Sequence, residues 1–63
     1  MELKRDDVVL IDARGTGFDA DSVLGFVWGT LDGAVEVLFI PLDAHHFYRW
    51  YPVSRVRKVG ESK

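Results

Sequence analysis

The sequence predicts a small all-β domain of five strands, and three observations carry that prediction. Apolar residues cluster in short runs rich in β-branched and aromatic side chains, several of them alternating with a period of two. The pair Asp32-Gly33 marks a tight hairpin between two such runs. No run of apolar residues at helical spacing reaches the length of a helix, and no internal repeat is visible.

Val8-Val9-Leu10-Ile11-Asp12-Ala13 reads as the first strand, because β-branched and apolar residues fit a half-buried pleated surface. Residues 14–22 follow with two glycines and two aspartates, the composition of a long loop. This acidic loop is expected to be flexible and to serve recognition. Val23 to Trp28 is the second strand, in which Gly25 predicts a bulge or a close backbone approach. Leu31-Asp32-Gly33-Ala34 is then a type I′ turn, whose two central residues must adopt positive φ.

The third strand, Val35 to Ile40, places Val35, Val37 and Phe39 on one face and Glu36, Leu38 and Ile40 on the other. If the first face is core, Leu38 and Ile40 point outward and need shelter from outside the lone subunit. Residues 41–46 connect to an aromatic fourth strand, Phe47 to Tyr51, which Pro52 ends. Val53-Ser54-Arg55 has room for one 3₁₀ turn before a short closing strand, Val56 to Val59, and the tail is expected to fray. Strand, long loop, strand, tight turn, strand, loop, strand, 3₁₀ turn, short strand is the layout of SH3-like barrels, which this chain resembles over nearly its whole length. The ordered core is expected at about residues 6–59 of one domain, with an OB-like five-stranded barrel as the structural alternative.

At 63 residues the chain holds one small core, and the absence of cysteine excludes a disulfide framework and thiolate metal sites. No signal peptide or membrane span is recognisable, since the first apolar run is only four residues, Val8 to Ile11. A cytoplasmic location is therefore expected. Hydrophobic residues make up 48% of the chain, whereas a barrel this small encloses roughly 12 to 15 side chains at native density. The surplus points to self-association as a dimer or tetramer, with Leu38, Ile40, Tyr48 and Trp50 as the expected interface.

The segment Arg49-Trp50-Tyr51-Pro52-Val53, followed by Ser54, Arg55, Val56 and Val59, is similar to the closing segment of the plasmid-borne type II dihydrofolate reductases. Those enzymes are single SH3-like barrels of similar length that assemble as homotetramers around a pore. There a Gln-Ile-Tyr segment before Pro-Val binds NADPH and dihydrofolate. The resemblance implies a cofactor-binding role for Arg49, Trp50 and Tyr51, with Arg49 and Tyr51 as the catalytic alternative and NADPH as the cofactor. Tyr51, Pro52 and Val53 match the family, while Arg49 and Trp50 replace glutamine and isoleucine. The family's pore lysine falls near Ile11, and Val9, Leu10 and Asp12 supply no cation in its place.

Other readings rest on the residues themselves. Phe47, Tyr48, Trp50 and Tyr51, with Trp28 and Phe39, have the makings of an aromatic cage for a methylated peptide cation. The plainer reading puts Phe39, Phe47 and Tyr51 in the core and leaves Tyr48 and Trp50 to cover an interface. Arg49, Arg55, Arg57 and Lys58, interleaved with Tyr48 and Trp50, have the composition of a strand that binds single-stranded nucleic acid. Against it, residues 1–47 carry nine acids and only Lys4, Arg5 and Arg14 as bases, and basic residues commonly protect an edge strand. Asp43, His45 and His46 are too close in sequence to converge on one metal ion. Arg14-Gly15-Thr16-Gly17 does not lead into a helix, so it lacks the context of a phosphate loop. A non-catalytic binding or scaffold module is the leading expectation, with the reductase-like homotetramer and a nucleic-acid or methylated-peptide reader as alternatives.

Overall fold

The structure, a computed structural model, describes residues 3–60. It contains β1 (Val8–Asp12), β2 (Ser22–Leu31), β3 (Ala34–Phe39), β4 (Phe47–Pro52), a 3₁₀ turn (Val53–Arg55) and β5 (Val56–Gly60). All pairings are antiparallel, in the order β4-β3-β2-β1-β5. Element order and the 3₁₀ turn follow the sequence pattern. The expected closed barrel does not: β4 and β5 terminate the sheet and do not pair with each other. Among the described residues no helix is long and apolar enough to cross a membrane.

The Asp-Gly turn forms as its chemistry requires, with φ of 50° at Asp32 and 80° at Gly33, and it pairs Leu31 with Ala34. β2 runs longer than the sequence pattern indicates, because backbone pairing continues into the turn past Gly29, where side-chain alternation has lapsed. Its bulge lies at Trp28, where the register with β3 shifts between Val27 and Gly29. Gly25 is instead a point of close approach. A side chain there would overlap Val37 Cγ1 and press on the Leu38 carbonyl and the Phe39 ring.

One face of the sheet forms the core: Val9, Ile11, Val27, Val35, Val37, Phe39, Tyr51 and Val56 pack together. Most of these side chains are wholly removed from solvent, which a flat single sheet cannot achieve, so the sheet wraps around them. Phe18, from the loop between β1 and β2, closes one side, 5.2 Å from Phe39 and 6.2 Å from Phe47 between ring centroids. At the other side the chain before β1 folds back on β2. The Asp6 amide donates to the Val27 carbonyl, and the Val27 amide donates to that of Asp7. Asp7 is itself buried, its carboxylate accepting from the Lys4 amide at 2.8 Å and facing Lys58 Nζ at 3.4 Å.

Candidate functional site

The residue alternation that buries one face leaves the other apolar as well. Cross-strand register aligns Tyr48, Leu38, Phe26 and Val8 in one row over β4, β3, β2 and β1. Leu24 and Leu10 form a neighbouring row, and Trp50, Glu36 and Gly29 another. Tyr48 and Trp50 are about half exposed, at 47% and 51%. Leu24, Phe26 and Ile40 are exposed too, while Leu38 is half-buried between its neighbours. Ile40 lies just past the end of β3 rather than within it.

The aromatic residues divide between the two faces. On the core face Phe39 stacks on Phe47, centred 5.1 Å away, and meets Tyr51 edge-on at 6.2 Å. Trp28 and Tyr48 meet on the outer face at 5.3 Å and 60°. A six-ring cage is therefore not formed. The bulge explains the outer pair, since the extra residue in β2 lets the Trp28 ring reach the aromatic strand. Period-two alternation placed Glu36 opposite the core face, but neither Glu36 nor Phe26 was expected as a site residue from the sequence.

The segment Arg49-Trp50-Tyr51 is split by the same alternation. Trp50 lies on the outer face, whereas Tyr51 is buried at 4% exposure and its hydroxyl finds no hydrogen-bond partner among the described residues. Arg49 turns to the loop, donating to the Thr16 carbonyl at 2.7 Å while its guanidinium lies 5.0 Å from the centre of the Phe18 ring and 5.5 Å from that of Phe47. Within one chain the three residues do not share a surface.

The basic residues are similarly dispersed. Arg55 donates to the carbonyls of Asp12 and Arg14 at 3.2 and 2.9 Å, Lys58 faces Asp7, and Arg57 is exposed beside Leu10. Arg49 and Arg57 belong to strands at opposite ends of the sheet order. Three of the four cations thus hold the fold together. The loop of residues 13–21, expected to be flexible, is tied down by Arg49, Arg55 and Phe18 and by the Ala13 amide on the Asp21 carbonyl.

At the loop's start Arg14 forms two hydrogen bonds of 2.9 Å to Asp12. Those bonds and the Arg14 backbone amide lower the Asp12 pKa from 3.8 to about 2. The folded value lies below the unfolded one. The pair's contribution to stability is therefore present above pH 3.8 and is lost as pH falls through about 2. Asp43, His45 and His46 are exposed, and among the described residues no three metal-ligating side chains gather.

Two of the shallow grooves on the surface have partly apolar borders. One of about 470 Å³ is bordered by Leu3, Leu31, Val35 and Val53 at the hairpin, and one of about 290 Å³ by Phe18, Leu24, Ile40 and Phe47 at the opposite end. Neither encloses a catalytic grouping. Comparison with protein-family models, curated proteins and solved structures gives no match for this chain.

Proposed function

We propose that this chain is a non-catalytic, self-associating scaffold module of SH3-like type, which buries part of its outer sheet face against a second copy. The observation that carries the reading is the row of Phe26, Leu38 and Tyr48, flanked by Leu24 and Ile40, running across three strands without a charge. A contiguous patch of this kind on so small a protein favours association. Because the row is uncharged, two copies meet there without like-charge repulsion. The lack of cysteine fits a reducing compartment such as the cytoplasm.

Sedimentation equilibrium at micromolar concentration tests the reading. Wild type is expected as a dimer or larger, and the double substitution Phe26→Lys with Tyr48→Lys as a folded monomer. A wild-type chain that stays monomeric at 100-fold higher concentration than the starting one overturns it.

One observation favours a second reading, the reductase-like homotetramer. Tyr51 keeps a buried hydroxyl that makes no hydrogen bond within the described chain, which is costly to folding and invites a role elsewhere. NADPH oxidation with dihydrofolate, assayed at high protein concentration, decides it, and absence of both turnover and NADPH binding ends it.

A further inference from the structure

Glu36 is the one charged side chain in the strands β2, β3 and β4 that lies on the outer face. It is half-buried and sits directly across from Trp50 on β4 and Gly29 on β2. Trp28, displaced by the bulge, stands next to Gly29 and touches Tyr48. Among the described residues Glu36 has no ion-pair partner. No ion pair among the described residues offsets the partial burial of this carboxylate, which lies in register with Trp50 and, on β2, one residue from Trp28.

The same arrangement suits a weakly hydrated organic cation, which aromatic faces attract through their quadrupoles and a carboxylate attracts through its charge. The chain itself supplies an instance. Arg5 lays its guanidinium 4.3 Å from the centre of the Trp28 ring and anchors it by donating from Nε to the Trp28 carbonyl. The indole therefore already accepts a planar cation.

The geometry points to a peptide-binding site here: β4 takes an extended segment along its free edge, and an arginine or methylated lysine of that segment crosses Trp50 to reach Glu36 and Trp28. A peptide rather than a free ion is favoured on two grounds. Tyr48 and Trp50 lie open on the sheet surface, Trp28 is half-buried beside them under Arg5, and none of the three rings lines a cavity of the kind that encloses a small ligand. β4 ends the sheet, so its outer backbone groups are available to an added strand. The formal net charge of the chain, −2, adds a weak long-range attraction for a basic segment. This inference goes beyond self-association and requires no second copy.

The test uses the indole Nε1–H resonances of Trp28 and Trp50, followed by NMR on wild type and on the Phe26→Lys variant, which keeps Tyr48 and whose oligomeric state is checked by sedimentation. The probes are five-residue acetylated peptides with arginine, trimethyllysine or glutamine at the centre. The arginine and trimethyllysine peptides are expected to shift both indoles and to bind at least threefold more tightly than the glutamine peptide. Glu36→Gln is expected to remove that preference. Arg5→Ala, which frees the Trp28 face, is expected to strengthen binding severalfold. Since Glu36 and Arg5 both reach solvent, the two variants should stay folded, and amide dispersion checks this. No indole shift at millimolar peptide, or equal binding of the glutamine peptide, overturns the proposal. Failure of the dimer with peptide binding intact leaves it standing.

Discussion

Asp7 is 1% exposed, and its carboxylate both accepts the Lys4 amide and faces Lys58 on β5. Removing one partner of such a pair leaves the other charge without compensation in a largely dry place, at a cost of about 3 to 5 kcal/mol. Lys58 retains some solvent, so the lower end of that range applies. Asp7→Ala should therefore lower the urea midpoint by the equivalent of about 3 kcal/mol, and adding Lys58→Met should recover part of the loss. A full loss in Lys58→Met alone with none in Asp7→Ala would refute the pairing. Tyr51 presents the opposite case. Tyr51→Phe deletes a buried hydroxyl that has no hydrogen-bond partner among the described residues, and is expected to raise stability by about 1 kcal/mol. Thermal unfolding measures the change, and a lower midpoint would show that the hydroxyl is satisfied in the folded protein. Tyr51's place in the core was one of the sequence readings, but its unpartnered hydroxyl and the burial of Asp7 were not legible in one dimension. Asp7 reads as part of a charged start, and nothing in the sequence says that the backbone turns at Asp6, with φ of 73°, to bury it.

At the scale of elements, the sequence showed most of what the structure contains. Period-two alternation located β3 and its buried face, and the Asp-Gly pair located the hairpin, because both signals arise from local backbone geometry. What stayed hidden depends on partners distant in the chain. Gly25 was legible as special, yet whether it bulged or made room was settled only by Val37 and Phe39 two strands' width of sequence away. The bulge fell at Trp28, a residue with no bulge signature of its own. Gly25→Ala and Gly29→Ala separate the two roles. A methyl at Gly25 must displace Val37 or the β3 backbone and should cost about 1 to 3 kcal/mol. At Gly29 nothing lies within 4 Å of the added carbon, and φ is not positive, so the same substitution is expected to change stability by no more than about 0.5 kcal/mol. Chemical denaturation of the two variants checks the difference, and equal losses would contradict the close approach.

For the whole molecule, the question is how a sheet with two unpaired ends holds a dry core. The loop of residues 13–21 supplies the answer. Arg49 reaches it from β4 through the Thr16 carbonyl, and Arg55 reaches it from the 3₁₀ turn before β5 through the carbonyls of Asp12 and Arg14. These are the two strands that end the sheet order. Phe18 fills the space beneath, against Phe39 and Phe47. The two arginines thus fasten one loop to both ends of the sheet, where backbone pairing would close a barrel. The arginines' bonds are largely open to solvent, so each contributes only about 0.5 to 1.5 kcal/mol, and losing either arginine should raise local opening of the loop by about threefold to tenfold. Arg49→Met and Arg55→Met keep the apolar stems and remove the donors. Amide hydrogen exchange at Ala13 and Thr16, which donate to Asp21 and Ala13, is expected to speed up by that factor in each variant. Exchange at Val35 and Val37, buried in the middle of the sheet, is expected to hold at the wild-type rate, because loop opening is a local event. Faster exchange at all four amides alike would mean that the arginines support global stability and do not act as a clasp, and unchanged exchange at Ala13 and Thr16 would mean that Phe18 alone keeps the loop in place.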